Sequence, residues 1–269
     1  MSNNIPKIIF IVPYRNREQE KIHFSIYMKY IMEDYDIADY EIYFSHQTDE
    51  RPFNRGATKN IGFLVMKNKY PNDYKNISFV FNDIDTHPAK KNTLNYLTEK
   101  GVVKHYYGVT FALGGIFSIT GEDFEKCNGF PNNWGWGLED NEIQKRVLKN
   151  QIVIDRSQFF PMMNKNIIQL FDSKFRLINN REPSKYKNNA FIDNLNSISN
   201  LEYNIEQNIK SSNIFSNSNE FIIHINEFNT LINPNNEIFY KQDILLNSKL
   251  YLNQYEKLLN TNKWSMKKL

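Results

Sequence analysis

Residues 77–81, Ile-Ser-Phe-Val-Phe, form a short apolar run that leads straight into Asn82-Asp83-Ile84-Asp85. A run this short and this apolar reads as a strand buried on both faces, the kind found in sheets covered by helices. Residues 7–12 form a second such run and end at Pro13-Tyr14-Arg15-Asn16-Arg17. Further strands are expected at 40–44, 115–120, 151–155 and 221–225. Helical patterns lie between them. Ile22, Ile26, Tyr27, Tyr30 and Ile31 recur at three- and four-residue intervals, and 60–69 is ended by Tyr70-Pro71. Gly121–Lys126 reads as a short helix and Glu139–Lys149 as an amphipathic one with Ile143 and Val147 inward. Strands alternating with helices predict an α/β fold with a largely parallel central sheet. Ligands of such sheets sit beyond the carboxyl ends of the strands, where both polar clusters fall.

The 269 residues suit one large domain, with no internal repeat. Residues 1–228 are expected to form it; 229–269 are expected to be a helical tail packed on it, because 237–262 carry a loose helical pattern. A net charge of +3, without basic runs carrying interleaved aromatics, argues against a nucleic-acid partner. The single cysteine, Cys127, excludes an internal disulfide framework and fits a reducing compartment. The sequence contains no signal peptide and no stretch of eighteen apolar residues. A soluble, cytoplasmic protein without a membrane anchor is therefore expected.

Asp83 and Asp85 stand at i and i+2, on one side of an extended segment. Mg²⁺ and Mn²⁺ take one or two carboxylates plus substrate phosphates, so the pair suits a metal-bound nucleotide diphosphate. The same spacing also serves as a solvated turn or a helix cap. Arg15 and Arg17 could grip phosphate oxygens bidentately, or simply open a helix in solvent. Phe53, in the loop Phe53-Asn54-Arg55, could stack on a base or anchor the core. The most informative stretch is 128–142, Asn-Gly-Phe-Pro-Asn-Asn-Trp-Gly-Trp-Gly-Leu-Glu-Asp-Asn-Glu. Trp134 and Trp136 alternate with Gly135 and Gly137, a pattern suited to a mobile sugar-binding loop. Glu139 and Asp140 then open a helix, a position acidic residues also favour for capping and the helix dipole.

Here the sequence resembles the β-1,4-galactosyltransferase family, inverting metal-dependent enzymes that move sugar from a UDP-sugar to an acceptor hydroxyl. The resemblance is carried by ordered blocks: Phe10-Ile11-Val12-Pro13-Tyr14-Arg15-Asn16-Arg17, Phe53-Asn54-Arg55 with Asn60-Ile61-Gly62-Phe63, Phe79-Val80-Phe81-Asn82-Asp83-Ile84-Asp85, Gly114-Gly115, and Gly129 through Asp140. They span about residues 7–150, with weaker similarity to roughly 228. The resemblance implies a GT-A fold, a Rossmann-like nucleotide-sugar-binding sheet. It places Pro13, Arg15, Arg17, Phe53, Arg55, Asp83 and Gly115 on donor-binding positions and Asp85 on a metal position. Trp136 falls on the lid tryptophan; Glu139 and Asp140 fall on acceptor and catalytic-base positions. It implies Mn²⁺ or another divalent cation, a UDP-sugar donor and a glycan acceptor. The family's membrane anchor and disulfides are not expected here. Its later Met-x-x-His ligand motif finds no match; the nearest fit, 169–173, puts Asp172 where the histidine stands, and His87 is a rival ligand. The family's donor-selecting tyrosine corresponds to Ala112, which implies room for UDP-GalNAc or UDP-GlcNAc beside UDP-galactose. Two other readings stay open: a sugar-binding protein on the same fold with weakened catalysis, and another metal-dependent nucleotide enzyme such as a nucleotidyltransferase.

Overall fold

A computed structural model describes residues 5–170, 175–180, 193–207 and 219–243. In chain order the elements are β1 (Ile8–Tyr14), α1 (Glu18–Ile31), β2 (Tyr40–Gln47), α2 (Arg55–Lys69), β3 (Ser78–Asn82), β4 (Thr86–Pro88), β5 (Val102–Gly108), β6 (Ile116–Thr120), α3 (Gly121–Lys126), α4 (Glu139–Lys149), β7 (Val153–Asp155), β8 (Phe160–Pro161), β9 (Ile167–Gln169), β10 (Phe175–Asn179), β11 (Ser199–Gln207), β12 (Glu220–Asn229) and β13 (Phe239–Asp243).

Among the described residues the main sheet has nine strands, eight of them in the order β11-β12-β2-β1-β3-β6-β5-β7, with β8 beside β5. Its centre, β12-β2-β1-β3, is parallel throughout, while β6 runs antiparallel to both β3 and β5. β11 closes one edge antiparallel to β12. The unbroken apolar character of β1 follows from its central place: all seven of its residues are buried. Ile9 and Ile11 pack under α2, while Ile8, Phe10 and Val12 pack with Phe24, Met28 and Ile31 of α1.

The face of α1 differs from the expectation. Ile22, Ile26 and Tyr30 are exposed and Phe24, Met28 and Ile31 are buried. Two stripes of similar spacing run along this helix, and sheet packing, not periodicity, chooses between them. The helix expected at 60–69 starts earlier, at Arg55, because the Asn54 side chain caps it by accepting from Ala57 N–H at 2.9 Å. Residues 239–243, expected to be helical, are strand β13, which pairs antiparallel with β10. The expected end of the main domain at 228 falls inside β12, which runs on to Asn229. The rest of the predicted tail helix, beyond 243, lies outside the described residues. No helix among the described residues is long and apolar enough to cross a membrane.

Candidate active site

The carboxyl ends of β1 and β3 bring the two polar clusters together with the start of α4. Arg17, just past β1, pairs with Asp85 Oδ2 at 3.0 Å. Asp85 lies on the turn between β3 and β4, where burial and the neighbouring Asp83 push its carboxyl up against the opposing pull of Arg17. Arg55, the first residue of α2, reaches across the sheet edge. Its guanidinium donates to Asp83, to Glu139, and to Asp140 Oδ2 at 2.9 Å. Burial works against its charge, but the three carboxylates outweigh burial and hold the guanidinium firmly protonated.

Asp140 is enclosed from several directions. Lys59, one turn after Arg55 on α2, donates to Asp140 Oδ1 at 3.1 Å, and its ammonium lies 4.5 Å from the centre of the Phe130 ring. Burial alone would raise the Asp140 carboxyl; Arg55 and Lys59 more than reverse this and hold it below the usual carboxylate range. The helix it opens is preceded by Leu138, which has a left-handed backbone with φ of 67°. A turn from β5 is stapled to the first turns of α4. Leu113 N–H donates to Asp140 O at 2.9 Å, Asn141 Nδ2 to Phe111 O at 3.1 Å, and Gln144 Nε2 to Thr110 O at 3.1 Å.

Helix α2 also fixes the stretch before α4. Asn60 Nδ2 donates to Phe130 O and to Asn132 Oδ1, both at 2.8 Å, and Asn54 Nδ2 donates to Asn132 O at 2.9 Å. The approach is close enough to need glycine, since a Cβ on Gly56 would stand 2.0 Å from Pro131 O.

The other expected residues have surroundings of their own. Arg15 donates to Asp49 O at 2.7 Å and to Arg51 O, so its guanidinium braces the loop after β2. Pro13 is buried inside β1, and half-buried Phe53 accepts from Gly135 N–H at 3.3 Å. The two tryptophans of the glycine-rich loop part company. Trp134 is a core residue, stacked on Phe228 at 5.4 Å and donating from Nε1 to Ile232 O at 2.9 Å. Trp136 is 46% exposed. Ala112 is buried, at 6% exposure. Asp172 lies outside the described residues. His87 is buried, with Nδ1 donating to Pro88 O at 2.8 Å and Nε2 facing His23 Nδ1 at 3.3 Å, so its ring is turned toward α1. Lys59 escaped the sequence reading, although Arg55 and Lys59 stand at i and i+4 and must share a helix face.

The donor set fits a hard divalent cation. Asp83 stands close enough to Asp85 to disfavour the charge of Asp85, which such a cation would relieve. No cluster of three or more metal-ligating side chains occurs among the described residues. Magnesium and manganese complete their shells with phosphate and water, so one or two carboxylates suffice.

Comparison with known proteins places this geometry. The model of the N-terminal region of glycosyl transferase group 7 matches residues 3–97, and one described as the N-terminal domain of galactosyltransferase matches residues 100–169. Beta-1,4-galactosyltransferase 4 of Mus musculus is 32% identical over 163 residues, covering 56% of this chain and 45% of that protein. The xylosylprotein 4-beta-galactosyltransferase of Caenorhabditis elegans is 31% identical over 159 residues, covering 56% of this chain and 53% of that protein. The chain thus spans about half the length of the curated relatives it matches. The catalytic domain of Drosophila beta1,4-galactosyltransferase 7, solved with xylobiose, superposes with a TM-score of 0.64 at 22% identity, covering 82% of this chain and 94% of that one. A mutant of the same protein, in complex with manganese, UDP-Gal and xylobiose, gives a TM-score of 0.61 at 20% identity over the same shares. The two superpositions establish the fold as GT-A.

Proposed function

Because the chain belongs to the glycosyl transferase group 7 family, we propose that it is an inverting transferase that moves a hexose from a UDP-sugar to a glycan hydroxyl. The observation that carries this reading is the Arg55 bridge, which joins Asp83 on the donor side to Glu139 and Asp140 on the acceptor side. A galactose donor is favoured by the names of the relatives and by the UDP-Gal bound to the Drosophila mutant, and nothing in them speaks for the N-acetylhexosamine donors. A glycan acceptor is supported by the xylobiose bound to the Drosophila protein.

In this reading Arg17, Arg55 and Asp83 line the nucleotide-sugar, with Arg15, Pro13, Phe53 and Gly115 shaping the walls. Asp85 would hold a divalent cation, which when bound supplies charge neutralisation of the departing diphosphate. Asp140 takes the proton of the acceptor hydroxyl as its oxygen forms a bond to the anomeric carbon. The bond from that carbon to the phosphate oxygen breaks on the opposite face, and UDP leaves with the electron pair. Two cations beside Asp140 keep it ionised and ready to accept. Glu139, just 4% exposed, steadies Arg55 and is the reserve candidate for acceptor contact. Trp136, exposed at the mouth, would cover the bound sugars.

The test is transfer and hydrolysis of UDP-sugars with and without Mn²⁺, in the unmodified protein and in Asp140→Asn. Asp140→Asn should bind UDP as before while transfer falls by ~10²–10⁴-fold, the usual effect of losing a general base. A protein that binds sugars yet turns over no UDP-sugar with Mn²⁺ present would be the sugar-binding alternative.

A further inference from the structure

Lys59 is a primary amine carried into the interior, only 1% exposed, by a helix whose surrounding positions 56–63 are all buried. Burying an ammonium is costly unless it is paired. Among the described residues its ion-pair partner is Asp140, at 3.1 Å from Oδ1, and the Phe130 ring lies against the ammonium. Arg55 holds the other oxygen, Oδ2, at 2.9 Å. Each cation thus occupies one carboxylate oxygen, and the carboxylate plane is fixed between two donors from successive turns of one helix.

Resting on the assignment of Asp140 as the base, we propose that Lys59 is a positioning residue, whose ammonium fixes one oxygen of the Asp140 carboxylate and sets the pH range over which that group can take the acceptor's proton. Arg55 cannot do this alone, because it is shared with Asp83 and Glu139. Among the described residues Lys59 makes no ion pair with those two carboxylates, so its charge acts on Asp140. The charged groups facing Asp140 are then Arg55 and Lys59 from α2, Glu139 beside it on α4, Asp83 through Arg55, and His105 of β5 within electrostatic reach. His105 is pulled down to about 4 by burial and by Arg156, so it is neutral across the working range and leaves control to Lys59. The held-down Asp140 carboxyl agrees with this arrangement.

The experiment compares pH–rate profiles of the unmodified protein, Lys59→Met, Lys59→Arg and Asp140→Asn. Lys59→Met keeps the length and removes the charge. The acid limb should move up by about one to two pH units, the range an opposite charge commonly commands, with the UDP-sugar KM within about twofold. Lys59→Arg restores a cation and should return the limb toward its original position. A limb that stays put in Lys59→Met while the rate falls at every pH overturns the proposal, because a packing role alone has that outcome. Asp140→Asn separates the two ideas: an acid limb surviving there removes Asp140 as the base, whatever Lys59 does. In that event the Asp140 carboxyl is titrated by carbon NMR without substrate, and a midpoint that Lys59→Met leaves unmoved overturns the control by Lys59 as well.

Discussion

Gly114→Ala tests the enclosure of Asp140 with the smallest available change. A Cβ built on Gly114 stands 2.8 Å from Asp140 Oδ2 and 3.3 Å from its Cγ, where ordinary contact starts at 3.4 Å. The carboxylate must therefore move by roughly half an ångström. It cannot do so freely, because Oδ2 is held by Arg55 at 2.9 Å and Oδ1 by Lys59 at 3.1 Å. Gly114 is not among the residues with positive φ, so alanine adds no backbone strain and the fold should persist. A misplacement of about 1 Å can cost ~10²-fold in rate, so half of that predicts a fall in kcat of about 10-fold. Steady-state kinetics should show this loss with the UDP-sugar KM unchanged, and calorimetry should find donor affinity intact. Gly115→Ala is the contrasting neighbour: its φ is +69° and its Cβ would meet Tyr107 O at 2.5 Å. It should lower stability by about 1–3 kcal/mol or more, seen as a drop in Tm. Normal kcat in Gly114→Ala would mean that the carboxylate is not held as described. A proportional loss of donor affinity would instead place Gly114 on the donor side.

Asp85→Ala should lower transfer by orders of magnitude and abolish the response to Mn²⁺ while leaving the melting temperature nearly unchanged, since the residue lies on a turn; full activity of this variant in EDTA would refute a metal role. Ala112→Tyr places a ring where the side chain is already buried, so it should cost stability as overpacking does, about 1–3 kcal/mol. In competition between UDP-galactose, UDP-GalNAc and UDP-GlcNAc, the unmodified protein should favour galactose; equal use of all three would show that the alanine leaves usable space after all. Buried His105 is neutral in the fold, with its pKa lowered to about 4 from 6.5, so the unfolded chain takes up its proton first on acidification. Its contribution is therefore complete above about pH 6.5 and drains away toward pH 4, at up to ~1.4 kcal/mol per pH unit. Urea unfolding across that window should show a shallower slope in His105→Asn, and an identical slope would remove this histidine from the account.

Strands buried on both faces were easy to read, because β1 and the middle of β3 carry apolar residues at consecutive positions. Helix α4 was legible to the residue, since Ile143 and Val147 stand one turn apart in a segment whose other apolar residue, Leu148, is exposed. Helix α1 was harder. It carries apolar residues on two sides, and only contact with the sheet decides that Phe24 and Met28 turn inward. The strand β5 went unseen because Lys104 and His105 interrupt its apolar pattern, and His105 is buried through hydrogen bonds that no local pattern reveals. The two tryptophans illustrate the same limit. They stand two residues apart in one motif, yet Trp134 finds Phe228 and Arg51 across the fold and Trp136 does not. Residues that meet ligands and residues that meet the core are chosen by partners about a hundred positions away.

The ion pairs of the site carry a further consequence. Among the described residues four carboxylates, Asp83, Asp85, Glu139 and Asp140, face three cations, Arg17, Arg55 and Lys59, in one partly buried network. The surplus is negative and it is localised: Arg55 is divided among three partners, and the Asp85 carboxyl is pushed up by burial and by Asp83. Such a site resists an anionic diphosphate arriving alone, because like charges in a poorly solvated setting are expensive to bring together. A divalent cation alone would be welcomed by Asp85 but would keep most of its water. The diphosphate and the cation together are close to neutral and satisfy both demands. UDP affinity should therefore rise steeply with Mn²⁺, Mn²⁺ affinity should rise by the same factor with UDP, and calorimetric titrations in the four orders of addition would measure the coupling. Independent binding of the two would place the negative surplus somewhere other than the donor site.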